Sequence, residues 1–145
     1  METIVKLNVS ARDLFAIMEQ SLLQEVKAAT NKNVDATQIG RGFTYTKKSQ
    51  GRSVKVAVTG WKRDALYEAT FTSNGDTIFV RYELEPEGEN AVSVTYREEI
   101  RRKGQTKPTF ASRLGEKKAI KQAKRMLMAV EATILNQKKA QDHSS

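Results

Sequence analysis

The chain has 145 residues, 39% of them hydrophobic and 29% charged, with a formal net charge of +8 and no cysteine. That length fits one domain able to bury a core unaided, and the missing cysteine excludes a disulfide frame or a thiolate metal site. The opening Met-Glu-Thr-Ile-Val-Lys lacks the regions of a signal peptide and no apolar run approaches the ~18 residues of a membrane span, so we expect a cytoplasmic protein.

In residues 3–9, Val5, Leu7 and Val9 alternate with Ile4, Lys6 and Asn8, the period of a half-buried strand. Asn8-Val9-Ser10 matches a glycosylation acceptor, which we read as chance. Ser10 suits a helix N-cap and Asp13 suits the positive end of the same helix. That helix is expected over 11–29, with Leu14, Phe15, Met18, Leu22 and Val26 on one face and Ile17 and Leu23 widening it. Residues 31–38 are polar and read as a loop, with Val34 and Ile39 available to pack.

Strands follow. Phe43 and Tyr45 begin one, 49–52 reads as a turn, and Val54, Val56 and Val58 form the next. A second turn is expected at 60–64, holding Trp61. Tyr67, Ala69 and Phe71 then alternate, Asn74-Gly75 signals a tight hairpin, and Ile78, Val80, Tyr82 and Leu84 form the return strand. Residues 86–90 make another turn, and Val92, Val94, Tyr96 and Ile100 share the covered face of the last strand. Such short connections make these strands antiparallel neighbours.

Residues 104–108 lead to a final helix, with Thr109 or Ser112 as its cap and Gly115 bending it or delaying its start. Over 117–138, Ile120, Ala123, Leu127, Val130 and Ile134 step by three and four residues along one stripe. Lys117, Lys118, Lys121, Lys124 and Arg125 lie mostly off that stripe. A helix of about 24 residues is about 36 Å long, against ~29 Å for six strands at about 4.8 Å spacing. One long helix is thus expected to lie across the whole sheet. We expect one domain over 1–140 and a disordered tail over 141–145.

This order of elements resembles the helix-grip fold of the START-like, or SRPBCC, superfamily. The resemblance lies in Val9-Ser10, in Ala11-Arg12-Asp13-Leu14-Phe15, in the strand Val92-Ser93-Val94-Thr95-Tyr96-Arg97-Glu98-Glu99, and in the final helix. Gly42-Phe43-Thr44-Tyr45 and Tyr82-Glu83-Leu84-Glu85-Pro86 are similar to a small, uncharacterised bacterial family within it. The superfamily usually has seven strands and often two helices before the last, where this chain reads as six and one. The resemblance implies an α+β fold, an antiparallel sheet of about six strands gripping the C-terminal helix, with a pocket between them that often holds an apolar ligand. It maps no catalytic residue onto this chain.

Chemistry of other kinds finds little support. His143, the only histidine, falls in the polar tail, which argues against histidine-based nucleophilic catalysis and, with no cysteine, against zinc. Gly40-Arg41-Gly42 lacks the spacing of a dinucleotide loop. Glu98 falls in register with Val92, Val94 and Tyr96, and Lys47 continues Phe43 and Tyr45. A carboxylate in a dry cavity would have a raised pKa, whereas a strand end in water would leave it ordinary. Tyr45, Tyr82 and Tyr96 share inward registers and carry polar handles suited to orienting a ligand. Met126 and Met128 flank the helix stripe and read first as core fillers. Arg97, Arg101, Arg102, Lys103 and the lysines of 117–125 form a basic cluster with few interleaved aromatics, read first as a solvated face.

The leading expectation is a non-catalytic protein that binds a small, mostly apolar molecule, without metal or cofactor. Its pocket would be lined by Tyr45, Tyr82, Tyr96, Glu98, Ala123, Leu127 and Val130. The alternative is an interaction or regulatory module whose basic surface meets nucleic acid or an acidic partner. A cyclase- or hydrolase-type enzyme using Glu98 ranks last.

Overall fold

The computed structural model describes residues 1–104 and 113–144. The expected caps Thr109 and Ser112 lie outside these residues. In chain order the elements are β1 (Glu2–Leu7), α1 (Ala11–Thr30), a short 3-10 helix (Ala36–Gln38), β2 (Thr44–Ser49), β3 (Arg52–Lys62), β4 (Leu66–Ser73), β5 (Asp76–Pro86), β6 (Val92–Arg101) and α2 (Arg113–Ser144). Among the described residues six strands form one antiparallel sheet in the order β1-β6-β5-β4-β3-β2. This is the expected α+β helix-grip arrangement.

Local chemistry sets the boundaries. Ser10 is extended, and its hydroxyl accepts the Asp13 N–H at 3.0 Å, satisfying one of the orphan donors that start α1. Asn31 ends α1 in the left-handed region and donates to the Lys27 carbonyl at 2.8 Å. Asn74 and Gly75 both take positive φ, which the two-residue turn between Ser73 and Asp76 requires. Val34 and Ile39, flanking the 3-10 helix, pack onto the core.

The strand alternation holds with one break. Val58 pairs with Ala69 and Gly60 with Glu68, leaving Thr59 as the extra residue of a β-bulge. The bulge corrects the expected turn at 60–64. β3 runs on to Lys62, and Trp61, moved by one residue, joins the inner face opposite Tyr67. There it meets Phe15 of α1 with ring centroids 4.7 Å apart.

The inner face is covered by two helices, where one was expected to span it. Leu14 and Phe15 of α1 join Leu127 and Ile134 of α2 over β1, β6 and Leu84 of β5. Leu22 and Val26, further along α1, pack with Tyr45, Val56, Val58 and Ala69 over β2, β3 and β4. The two clusters meet at Trp61. α2 is tied to the N-terminal end of this layer by Glu131, which accepts the Asn8 N–H at 2.6 Å, and by Lys138, 3.0 Å from Asp13. The expected stripe is present: Ala123, Leu127 and Ile134 are buried, while Lys117, Lys118, Lys121, Lys124 and Arg125 lie off it. α2 is described through Ser144. Gly115 lies within its first turn. No described helix is long and apolar enough to cross a membrane.

Candidate ligand cleft

Where α1 and α2 part, they leave a cleft of about 420 Å³ over the central strands. Leu14, Ile17, Met18 and Leu22 of α1 form one wall, and Met126, Leu127 and Val130 of α2 the other. Tyr67, Phe71, Val80 and Tyr82 make the floor. Ser21, Glu25 and Lys47 are the polar members of the lining apart from the tyrosine hydroxyls. The volume falls within the roughly 300–1,000 Å³ of small-molecule sites, and an apolar lining with few polar groups is their usual composition.

The floor belongs to an aromatic row that crosses four strands. Tyr96 pairs with Tyr82, Tyr82 with Tyr67, and Tyr67 with Trp61, each directly opposite the next. Their ring centroids are 4.9, 5.9 and 5.8 Å apart, spacings at which aromatic pairs attract. Burial pushes the Tyr67 phenol up to about 12, with the negative charge of Glu25 adding to it. Burial raises Tyr82 and Tyr96 as well, aided by neighbouring phenols and by Glu98. Around neutral pH these hydroxyls therefore keep their protons and act as donors.

The polar end is built from three elements. Lys47 of β2 forms an ion pair with Glu25 of α1 at 2.7 Å, and its ammonium stands 5.2 Å from the centre of the Phe71 ring. The Tyr45 hydroxyl donates to the other oxygen of Glu25. Burial first, and this hydrogen bond second, raise the Tyr45 phenol. A separate polar depression of about 540 Å³ lies between the end of α1 and the β2–β3 hairpin, and Glu25 and Lys47 line both spaces.

Of the residues expected at a pocket, Tyr82, Leu127 and Val130 line the cleft. Tyr45 is buried beside it and reaches it through Glu25. Tyr96 is buried one strand beyond Tyr82, and Ala123 is buried on α2 outside the lining. Glu98 is also outside: on β6 its backbone exchanges hydrogen bonds with Met1 and its carboxylate takes the Tyr96 hydroxyl at 3.4 Å. Met126, expected as a core filler, stands at the rim, 44% exposed. Sequence reasoning misses Glu25, although a signal for it exists. Leu14, Met18, Ser21 and Glu25 step by four, three and four residues, so a charge continues an apolar row of α1. Among the described residues no group of three or more histidine, aspartate or glutamate side chains is placed to hold a metal ion.

Several solved structures share the architecture. A START superfamily protein from Mycobacterium smegmatis superposes with a TM-score of 0.59 at 13% identity, over 94% of this chain and 97% of the other. Ara h 8.0201 gives 0.55 at 14% identity, again over 94% and 97%. Norcoclaurine synthase from Thalictrum flavum, in complex with dopamine and hydroxybenzaldehyde, gives 0.56 at 13%, over 94% and 86%. At such identities the likeness establishes the fold alone, that of START-like proteins. No curated protein matches the chain. The family model described as a domain of unknown function, DUF3284, matches residues 1–116, and the chain belongs to that family.

Proposed function

We propose that this protein binds a small, mostly apolar molecule, without catalysis, in the cleft between its two helices and the central strands. The observation that carries the reading is the lining: a cleft of about 420 Å³ walled by aliphatic and aromatic side chains, its polar groups gathered around Glu25 and Lys47. Tyr82, Leu127 and Val130 touch the ligand, while Tyr45, Tyr96, Glu98 and Ala123 support the walls. Kinship of fold with a START superfamily protein and with a synthase solved with two small aromatic molecules agrees with this use of the space. The non-catalytic part rests on the polar groups: Glu25 and Lys47 engage each other, and the tyrosines are held in their protonated form.

The test uses the full chain. Native mass spectrometry should find a co-purified small molecule or, after delipidation, uptake of a neutral hydrophobic dye such as Nile red with a blue shift of its emission. Met126→Trp, at the exposed rim, should block dye uptake while leaving the urea midpoint unchanged. A wild-type protein that carries nothing and takes up no dye would overturn the reading.

A further inference from the structure

We propose that the ligand is an amphiphile with a carboxylate head, and that Lys47 binds this head while Glu25 and Tyr45 position Lys47. The proposal rests on the cavity reading above and adds the chemistry of the ligand's polar end.

Donor and acceptor accounting carries it. Among the described residues Glu25 is the only anion in the cleft lining, and both its oxygens are engaged, one by the Tyr45 hydroxyl and one by Lys47. Lys47 is likewise the only cation in that described lining. An ammonium has three N–H donors and no acceptor, and among the described residues Lys47 spends one, on Glu25. Two donors therefore remain for an acceptor, beside the Phe71 ring 5.2 Å away and at the mouth shared by the cleft and the depression. An amine head would meet Lys47 as a like charge, with Lys48 beside it in the adjoining depression, so that among the described lining residues cations outnumber the carboxylate of Glu25 around the head. A hydroxyl head could accept one hydrogen bond, but a carboxylate accepts two and adds charge.

The surroundings fit such a head. The Lys47 side chain is 25% exposed, so its charge is only partly screened. The depression that shares Glu25 and Lys47 with the cleft is lined as well by Thr46, Lys48, Ser49 and Ser53, with Ala28 and Ala29 of α1, so the head would open toward polar side chains and a second cation. The apolar body then lies along Leu14, Met18, Tyr82 and Leu127.

Calorimetric titration of the wild-type chain at neutral pH with decanoate, 1-decanol and decylamine, each below its aggregation threshold, tests the head alone because the tail is constant. Decanoate should bind about tenfold or more tighter than decanol, as a charge-assisted hydrogen bond would supply. Decylamine should bind most weakly, and the decanoate preference should shrink with added salt. Lys47→Met keeps the apolar stem but removes the charge, so the preference for decanoate over decanol should be lost; Lys47→Arg should keep the preference. If Lys47→Met fails to fold, the wild-type ranking decides. Equal affinity for decanoate and decanol, or tightest binding of decylamine, would overturn the head-group assignment and leave the cavity reading intact. Failure of all three probes to bind would remove the cavity reading, and this proposal with it.

Discussion

Gly60→Ala should destabilise the fold through a single close approach. A Cβ built at Gly60 lies 2.9 Å from the Cβ of Glu68 and 3.1 Å from Cδ2 of Leu66. Leu66 can yield, because that atom ends a flexible side chain. The Glu68 Cβ cannot yield without moving β4, and Glu68 also accepts from Thr59 at 2.8 Å and from Arg81 at 3.2 Å. Replacing glycine by alanine in extended backbone would by itself gain about 0.5–1 kcal/mol. Overpacking of this kind costs about 1–3 kcal/mol, so we expect a net loss of about 1–2 kcal/mol. The bulge at Thr59 holds Trp61 against Phe15 and Tyr67, and Trp61 is the only tryptophan. Urea unfolding followed by fluorescence therefore reads stability and the local packing in one experiment. The midpoint should fall with an unchanged slope, and the native emission should shift to the red as Trp61 loosens. A variant as stable as wild type with identical emission would show that the bulge tolerates a side chain, and the account of how Trp61 reaches the inner face would fail.

Other outcomes follow from the same structure. Leu127→Ala, at a residue 3% exposed, should cost about 2–4 kcal/mol in urea unfolding, toward the lower part of the usual range because the new space opens into the cleft. Ser10→Ala should cost about 1 kcal/mol by loss of the α1 cap, and Ser10→Asp should recover most of it. Tyr67 titrates near 10 when unfolded and near 12 in the fold, so its protonated form is favoured by folding. That contribution is complete below pH 10 and is lost as pH rises toward 12, falling by about 1.4 kcal/mol for each pH step of one between them. Unfolding free energies measured across this window should fall more steeply for wild type than for Tyr67→Phe.

Much of this architecture is written in short-range patterns. The alternation of Val5 with Lys6, or of Val94 with Thr95, states which face of a strand is covered, and Asn74-Gly75 states where the chain reverses. The place of Trp61 is not legible this way, because the bulge adds one residue to β3 and breaks the period of two. Gly60 beside it mimics a turn, whereas its real role is close approach to β4. The stripe on α2 is legible as a covered face, but amphipathicity says nothing of what covers it, so the sharing of the sheet with α1 cannot be read from it. Glu98 shows the limit of register: it shares the inner side of β6 and pairs with Val80 of the cleft floor, yet it is not part of the lining, so an inward register does not by itself mean a place in the cavity. The Glu25–Lys47 pair joins residues 22 apart in sequence, and only the docking of α1 on β2 brings them together.

Burial across the sheet explains why a cleft exists at all. On the flanks most inward residues are buried, among them Val5 and Leu7 on β1, Val92, Val94 and Tyr96 on β6, Val56 and Val58 on β3 and Tyr45 on β2, whereas Lys47, Val54, Trp61, Glu98 and Ile100 are partly buried. On β4 and β5 the inward Tyr67, Phe71, Val80 and Tyr82 are only partly buried, although Ala69 and Leu84 are fully covered. A single helix laid across the middle would give the opposite gradient, with the centre driest. Two helices, each anchored toward one flank, leave the middle strands short of cover, and the sequence fills that gap with aromatic rings. Rings suit this position because they offer a broad apolar surface with few rotatable bonds, so covering them costs little side-chain entropy. Each methylene of a guest buried there contributes ~0.8 kcal/mol. The ligand proposed above would therefore lie over Tyr67 and Tyr82 and end at Lys47.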